Sequence, residues 1–212
     1  MRHFAATTPF LFIALVALLL AACSTMNQDD CLSADWYALG LEAGSQGESR
    51  DRLDRQSDAC NKHGIALNRA AWLEGYEYGL EDFCIPAKGY EYGRRGQAYR
   101  GVCPSHLEGG FLLGYQQGRT HYDAQQRVAQ VDHALQERAA RIDDARYRIY
   151  HYQEILSRKD NSDSDRRRAL ANIRYLQRDI SILHREMREL DFHRNEAVRH
   201  LIQVQAQGVQ GW

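Results

Sequence analysis

The 212-residue chain is short of lysine, of proline and of net charge, and each shortage narrows what it can do. Three lysines stand against 24 arginines, the formal net charge is −1, and no polybasic tract occurs. The arginines are interspersed with Asp and Glu along the second half, as on a solvated helix face, so no nucleic-acid partner is expected. From Asp123 to Gln207 there is no glycine, proline or cysteine, the mark of uninterrupted helix. The longest apolar run, Phe10 to Leu20, falls short of the ~20 residues a membrane-spanning helix needs. Missing too are a short C-x2-4-C pair, an H-E-x-x-H helix and a G-x-S-x-G elbow. No catalytic residue, metal site or cofactor is therefore assigned, and His193 and His200, seven apart, read as solvated.

What is there begins with Arg2, the apolar run and a small-residue ending, Leu20-Ala21-Ala22-Cys23, which together read as a signal peptide over 1–22. That ending resembles the lipobox of bacterial lipoproteins. The resemblance implies that Cys23 becomes the lipidated first residue, anchored to a membrane by several acyl chains, with 23–30 as a linker. It implies a bacterial cell-envelope location facing the periplasm, and Ser24 in the next position favours the outer membrane under the enterobacterial sorting rule. Four cysteines remain, Cys31, Cys60, Cys84 and Cys103. An even set in an exported chain reads as two disulfides, with three pairings open.

Those four cysteines lie in a glycine- and tyrosine-rich module, 31–122. The frame G-[Y/L]-[E/Q]-x-G occurs from Gly40, Gly75, Gly89 and Gly114, twice spelled GYEYG. Glycines four apart share one helix face, and each costs ~1 kcal/mol against alanine, so close approach of another backbone must offset them. The expectation is a cluster of short helices meeting through glycine faces, with Trp36, Trp72, Tyr76, Tyr90, Phe111 and Tyr115 around them. Gly89 to Gly101 is glycine-dense enough to be turn instead. With Asp35-Trp36, WLEGYEYGLEDFC and Tyr99-Arg-Gly-Val-Cys-Pro104, this module resembles an uncharacterised family of proteobacterial lipoproteins defined by a domain of unknown function. The resemblance brings no activity, but it supports envelope location and paired cysteines.

In the remaining segment, 123–207, Val128, Leu135, Ile142, Ile149 and Leu156 recur by seven, with Val131, Ala145 and Tyr152 as companions and Arg138 interrupting. After a polar break at Lys159 to Asp165, Ile173, Ile180, Met187 and Leu201 repeat likewise, with Leu176, Leu183, Leu190, Ala197 and Val204 beside them and Arg194 intruding. Such heptads predict two helices, about 124–158 and 165–206, folded back antiparallel as a coiled-coil hairpin, capped by Ser164 or a neighbour, with 208–212 as a tail. The fold class expected is all-α: a disulfide-braced helical module and a long hairpin. The functional expectation is a non-enzymatic envelope lipoprotein whose hairpin binds a protein partner or a second copy. The alternative is a peptidoglycan- or glycan-binding module using Tyr78, Tyr90, Tyr92 and Tyr99 with Glu77 and Glu91; a hydrolase built on paired carboxylates stands third.

Overall fold

The computed structural model describes residues 26–209, which leaves Cys23, Ser24 and the segment 1–22, expected to be a signal peptide, outside the described residues. What it describes is all-α: α1 (Gln28–Ser33), α2 (Trp36–Ser45), α3 (Asp51–Asn61), α4 (Arg69–Phe83), α5 (Pro86–Arg94), α6 (Ser105–Ser157) and α7 (Asp163–Val209). The chain forms two compact units. Of the described residues, unit 1 holds those up to Ile85 together with Arg100–Gly109, and unit 2 holds Pro86–Tyr99 with those from Gly110 on.

Short polar residues start α1, α2 and α4 of unit 1. Asn27 and Asp30 form a reciprocal capping box, and the Asp35 and Asn68 side chains accept from the Ala38 and Ala71 N–H groups. α2 and α4 then meet through Gly40, Gly44, Gly75 and Gly79. A Cβ at any of them would enter the shell of a partner-helix carbonyl, that of Trp72, Tyr76, Tyr37 or Leu41 respectively. The close approach recovers what glycine costs in a helix. Trp72, Tyr76, Leu80 and Phe83 fall on one face of α4 and are buried, with the Trp72 and Tyr76 rings stacked 5.0 Å apart. Trp36 is only half-buried. Disulfides join Cys31 to Cys60 and Cys84 to Cys103, selecting one of the three pairings that spacing left open.

Unit 2 contains a second pair of the same construction. Gly89, Gly93, Gly114 and Gly118 of α5 and α6 oppose the carbonyls of Phe111, Tyr115, Pro86 and Tyr90. Gly89 to Arg94 is therefore helix, and the turn expected over 89–101 is confined to its second part; the glycines face a partner backbone, not solvent. The two pairs superimpose residue by residue in sequence. Trp72-x2-Gly75-Tyr76-x2-Gly79-x3-Phe83 corresponds to Phe111-x2-Gly114-Tyr115-x2-Gly118-x3-Tyr122, and Gly40, Gly44, Gly47 to Gly89, Gly93, Gly96. Gly47 and Gly96 both have positive φ, 66° and 72°, and lie against the Phe83 and Tyr122 rings. Even the tyrosine hydroxyls agree: Tyr76 donates to the Glu48 carbonyl at 2.7 Å and Tyr115 to the Gln97 carbonyl at 2.9 Å. The two identical GYEYG stretches are thus not equivalents, since one sits on the second helix of its pair and the other on the first.

The first long helix starts at Ser105, nineteen residues before the expected position near 124, because the second glycine frame is part of it. At ~1.5 Å per residue α6 is about 80 Å long. α7 starts at Asp163, with the Ser162 hydroxyl accepting from the Asp165 N–H as its cap. Within unit 2 the two helices run antiparallel: Asp132 pairs with Arg194, Arg138 with Glu186, and Arg141 with Asp179. The two arginines that interrupt the heptads are thus both bonded across the hairpin. Between the two helices Ile142, Ala145, Ile173, Leu176 and Leu183 are buried in the seam.

Candidate functional site

Three segments of unit 1 enclose a cleft of about 670 Å³: Ser49-Arg50 after α2, the outward turn of α4 at Glu77 and Glu81, and the stretch from Arg100 to Leu107. That volume lies in the range of small-molecule sites. Helix geometry puts Glu77 and Glu81 one turn apart on one face of α4. The Cys84–Cys103 disulfide ties the end of α4 to the third segment, which brings Arg100 and His106 to the same rim.

The floor is Tyr76, buried and hydrogen-bonded to the Glu48 carbonyl. Burial pushes its phenol above the ordinary tyrosine value, with Arg50 opposing and Glu48 and Asp51 adding, so it is a neutral donor. The Arg50 guanidinium lies 5.7 Å from the centre of the Tyr76 ring and 3.8 Å from the Glu77 carboxylate. Both partners are about two-thirds exposed, so this ion pair is weak. Glu81 and Arg100 have no ion pair among the described residues.

The residues singled out for ligand binding separate. Glu77 lines the cleft and Tyr78 is exposed beside it, both in unit 1. Tyr90, Glu91, Tyr92 and Tyr99 belong to unit 2. There the Tyr99 ring packs 4.8 Å from Phe111 and 6.1 Å from Tyr115, Tyr92 lies 6.3 Å from Phe111, and Glu91 pairs with Arg95 at 3.7 Å. The Tyr90 hydroxyl meets His121 Nδ1 at 3.3 Å. Sequence reasoning missed Arg50, Arg100 and His106, which are far apart along the chain. The spacing Cys84 to Cys103 was the one available signal, once paired.

His121 is the buried polar residue among those described. It sits in unit 2, with Tyr90 of α5 at Nδ1 and Gln205 of α7 at Nε2, 3.4 Å away. Burial lowers its pKa first, and Arg94 lowers it further, so the ring is neutral, one nitrogen donating and the other accepting.

The glycine-paired helices, from the cap at Asp35 through Thr120, coincide with one matched family model, described as a protein of unknown function. Residues 35–120 are a DUF2799 domain. The domain takes in both helix pairs and ends inside α6, leaving most of α6 and all of α7 beyond it. No curated protein and no solved structure matches the chain. Among the described residues no helix is long and apolar enough to cross a membrane, and no three His, Cys, Asp or Glu side chains gather as a metal site.

Proposed function

We propose that this chain is a cell-envelope lipoprotein held by Cys23 and facing the periplasm, with a non-enzymatic role in which the α6–α7 hairpin binds another protein. One observation carries the reading. Large apolar side chains stand off the seam, in water: Tyr147 and Tyr150 on α6, and Tyr175, Ile182 and Phe192 on α7. Isolated exposed apolar residues are ordinary, but rings as exposed as Tyr147 at 73% and Phe192 at 58%, on helices whose heptads already fill the seam, suit a protein contact. The lipobox-like Leu-Ala-Ala-Cys ending supports the anchor.

The test is a photo-crosslinking amino acid placed in living cells at Phe192 or Tyr147, and at the exposed Asp58 of α3 as a control. Distinct neighbours captured from the hairpin positions alone are expected. Capture that is the same from all three positions, or absent from the hairpin, sinks the reading. Replacing Cys23 with Ala is expected to release the chain from the membrane fraction. A second reading, a module that binds peptidoglycan or another glycan, draws on Glu77 lining the unit 1 cleft.

A further inference from the structure

The duplicated helix pair offers a control inside one chain. Whatever the fold requires is present in both copies: the opposed glycines, the positive-φ glycine under an aromatic ring, and the tyrosine hydroxyl bonded to the following loop. Residues that differ between copies at matching positions are not demanded by that construction. Around the cleft the differences run one way. Arg50 stands where the other copy has Tyr99, Glu77 where it has Gln116, and Glu81 where it has Thr120. In the second copy Tyr99 closes over Tyr115 and Phe111 with ring-to-ring contacts. In the first, a guanidinium lies over Tyr76 and leaves a charged opening. Arg100 adds a second guanidinium to its rim.

We infer that this cleft is a binding site for a small dipolar ligand, a short peptide with a free ammonium and a free carboxylate. The charges define the class. Arg50 and Glu77 face each other and largely cancel, whereas Arg100 and Glu81 line the same cleft, each without an ion-pair partner among the described residues. An anion alone would leave Glu81 repelling it, and a cation alone would face Arg100. A ligand bearing both charges matches each with its opposite. Arg100 takes the carboxylate, in the two-pronged geometry that guanidinium favours, and Glu81 takes the ammonium. Val102, Pro104 and Leu107, all partly exposed, supply the apolar surface against which a side chain packs. The volume, about 670 Å³, admits two or three residues. The peptide site is independent of the hairpin contact and is an alternative to a glycan in the same cleft.

Isothermal titration of the full chain with alanyl-alanine, its N-acetyl form, its C-terminal amide and the neutral disaccharide diacetylchitobiose tests it. Saturable binding of the free dipeptide is expected, weakened about tenfold or more by either cap, as loss of a charge-assisted contact implies. Arg100→Gln is expected to abolish the difference between acid and amide while leaving the effect of acetylation. Glu81→Gln is expected to do the converse. Both side chains are exposed, so the variants fold, and circular dichroism verifies it. Equal affinity for capped and free peptides, no saturable binding of the free dipeptide, cap effects that persist in both variants, or binding of the disaccharide alone would each overturn the proposal. The last of these would leave the glycan reading standing.

Discussion

At the scale of single residues, glycine and histidine make opposite demands on their surroundings. Gly44 faces the Tyr76 carbonyl so closely that a methyl group cannot be placed without separating α2 from α4. Gly109 on α6 has nothing within 4 Å of where a Cβ would stand. Gly44→Ala is therefore expected to destabilise unit 1 by about 2 kcal/mol or more, despite the better helix propensity of alanine. Gly109→Ala is expected to stabilise by up to ~1 kcal/mol, and urea denaturation of both variants checks the contrast. His121 ties Tyr90 and Gln205 together as a neutral ring, with Arg94 the charged group that disfavours its protonation. Its folded pKa is depressed below the ordinary histidine value near 6.5, so the unfolded chain takes up the proton first as pH falls. The stabilisation is full above that value. It declines as pH falls from there toward the folded pKa, with a slope of at most about 1.4 kcal/mol per unit, and is constant below. The difference in urea midpoint between the native chain and His121→Gln, followed from pH 8 to 5, is expected to shrink over that window; a flat difference counts against a neutral buried ring.

At the scale of elements, the hairpin shows how a seam tolerates charge. Arg138 and Arg194 occupy core positions of the heptads, yet reach Glu186 at 3.3 Å and Asp132 across the seam and stay half-exposed. Exposed pairs of this kind contribute ~0–1 kcal/mol, while an apolar side chain at such a position contributes more. Replacing both arginines with leucine is thus expected to raise the thermal midpoint, and also to increase self-association in sedimentation, because polar core residues fix register and partner number. The heptads made these helices legible, since a seven-residue repeat carried through five successive apolar positions, Val128 to Leu156, has no competing strand pattern. Their starting point was less legible. Composition changes near residue 122, but Gly114 and Gly118 are helical glycines facing α5, so α6 passes through the change without a break. The duplication was hidden by its most obvious feature, the repeated GYEYG. The informative signal was the spacing of aromatics, Trp72 to Phe83 against Phe111 to Tyr122. The cleft was least legible, for Arg50, Glu81 and Arg100 come together only through the loop that Cys103 holds.

At the scale of the molecule, the two units are held by different chemistry. Both disulfides lie in unit 1, which has short helices and a small aromatic core; the first closes a loop of 29 residues within it, and the second a loop of 19 residues whose middle is α5 of unit 2. Unit 2 has no cysteine and draws on a long apolar seam and a glycine-locked helix pair. Closing loops of that size is worth about 3–4 kcal/mol each in the chain-entropy description, a large share of what a unit this small can muster. Reduction should therefore act mainly on unit 1, which holds all four bonded cysteines, and leave the hairpin seam of unit 2 intact. Thermal unfolding followed by far-ultraviolet circular dichroism is expected to move one transition to lower temperature when a reductant is added. The helical signal of α6 and α7 is expected to persist at its original midpoint. Cys31→Ser with Cys60→Ser, and separately Cys84→Ser with Cys103→Ser, should each reproduce part of the shift. If the second pair of changes also reduces dipeptide binding while the first does not, the loop carrying Arg100 is the element the disulfide positions. A single transition that shifts as a whole on reduction would instead mean that unit 2 depends on the cross-links of unit 1, and that the two units unfold as one.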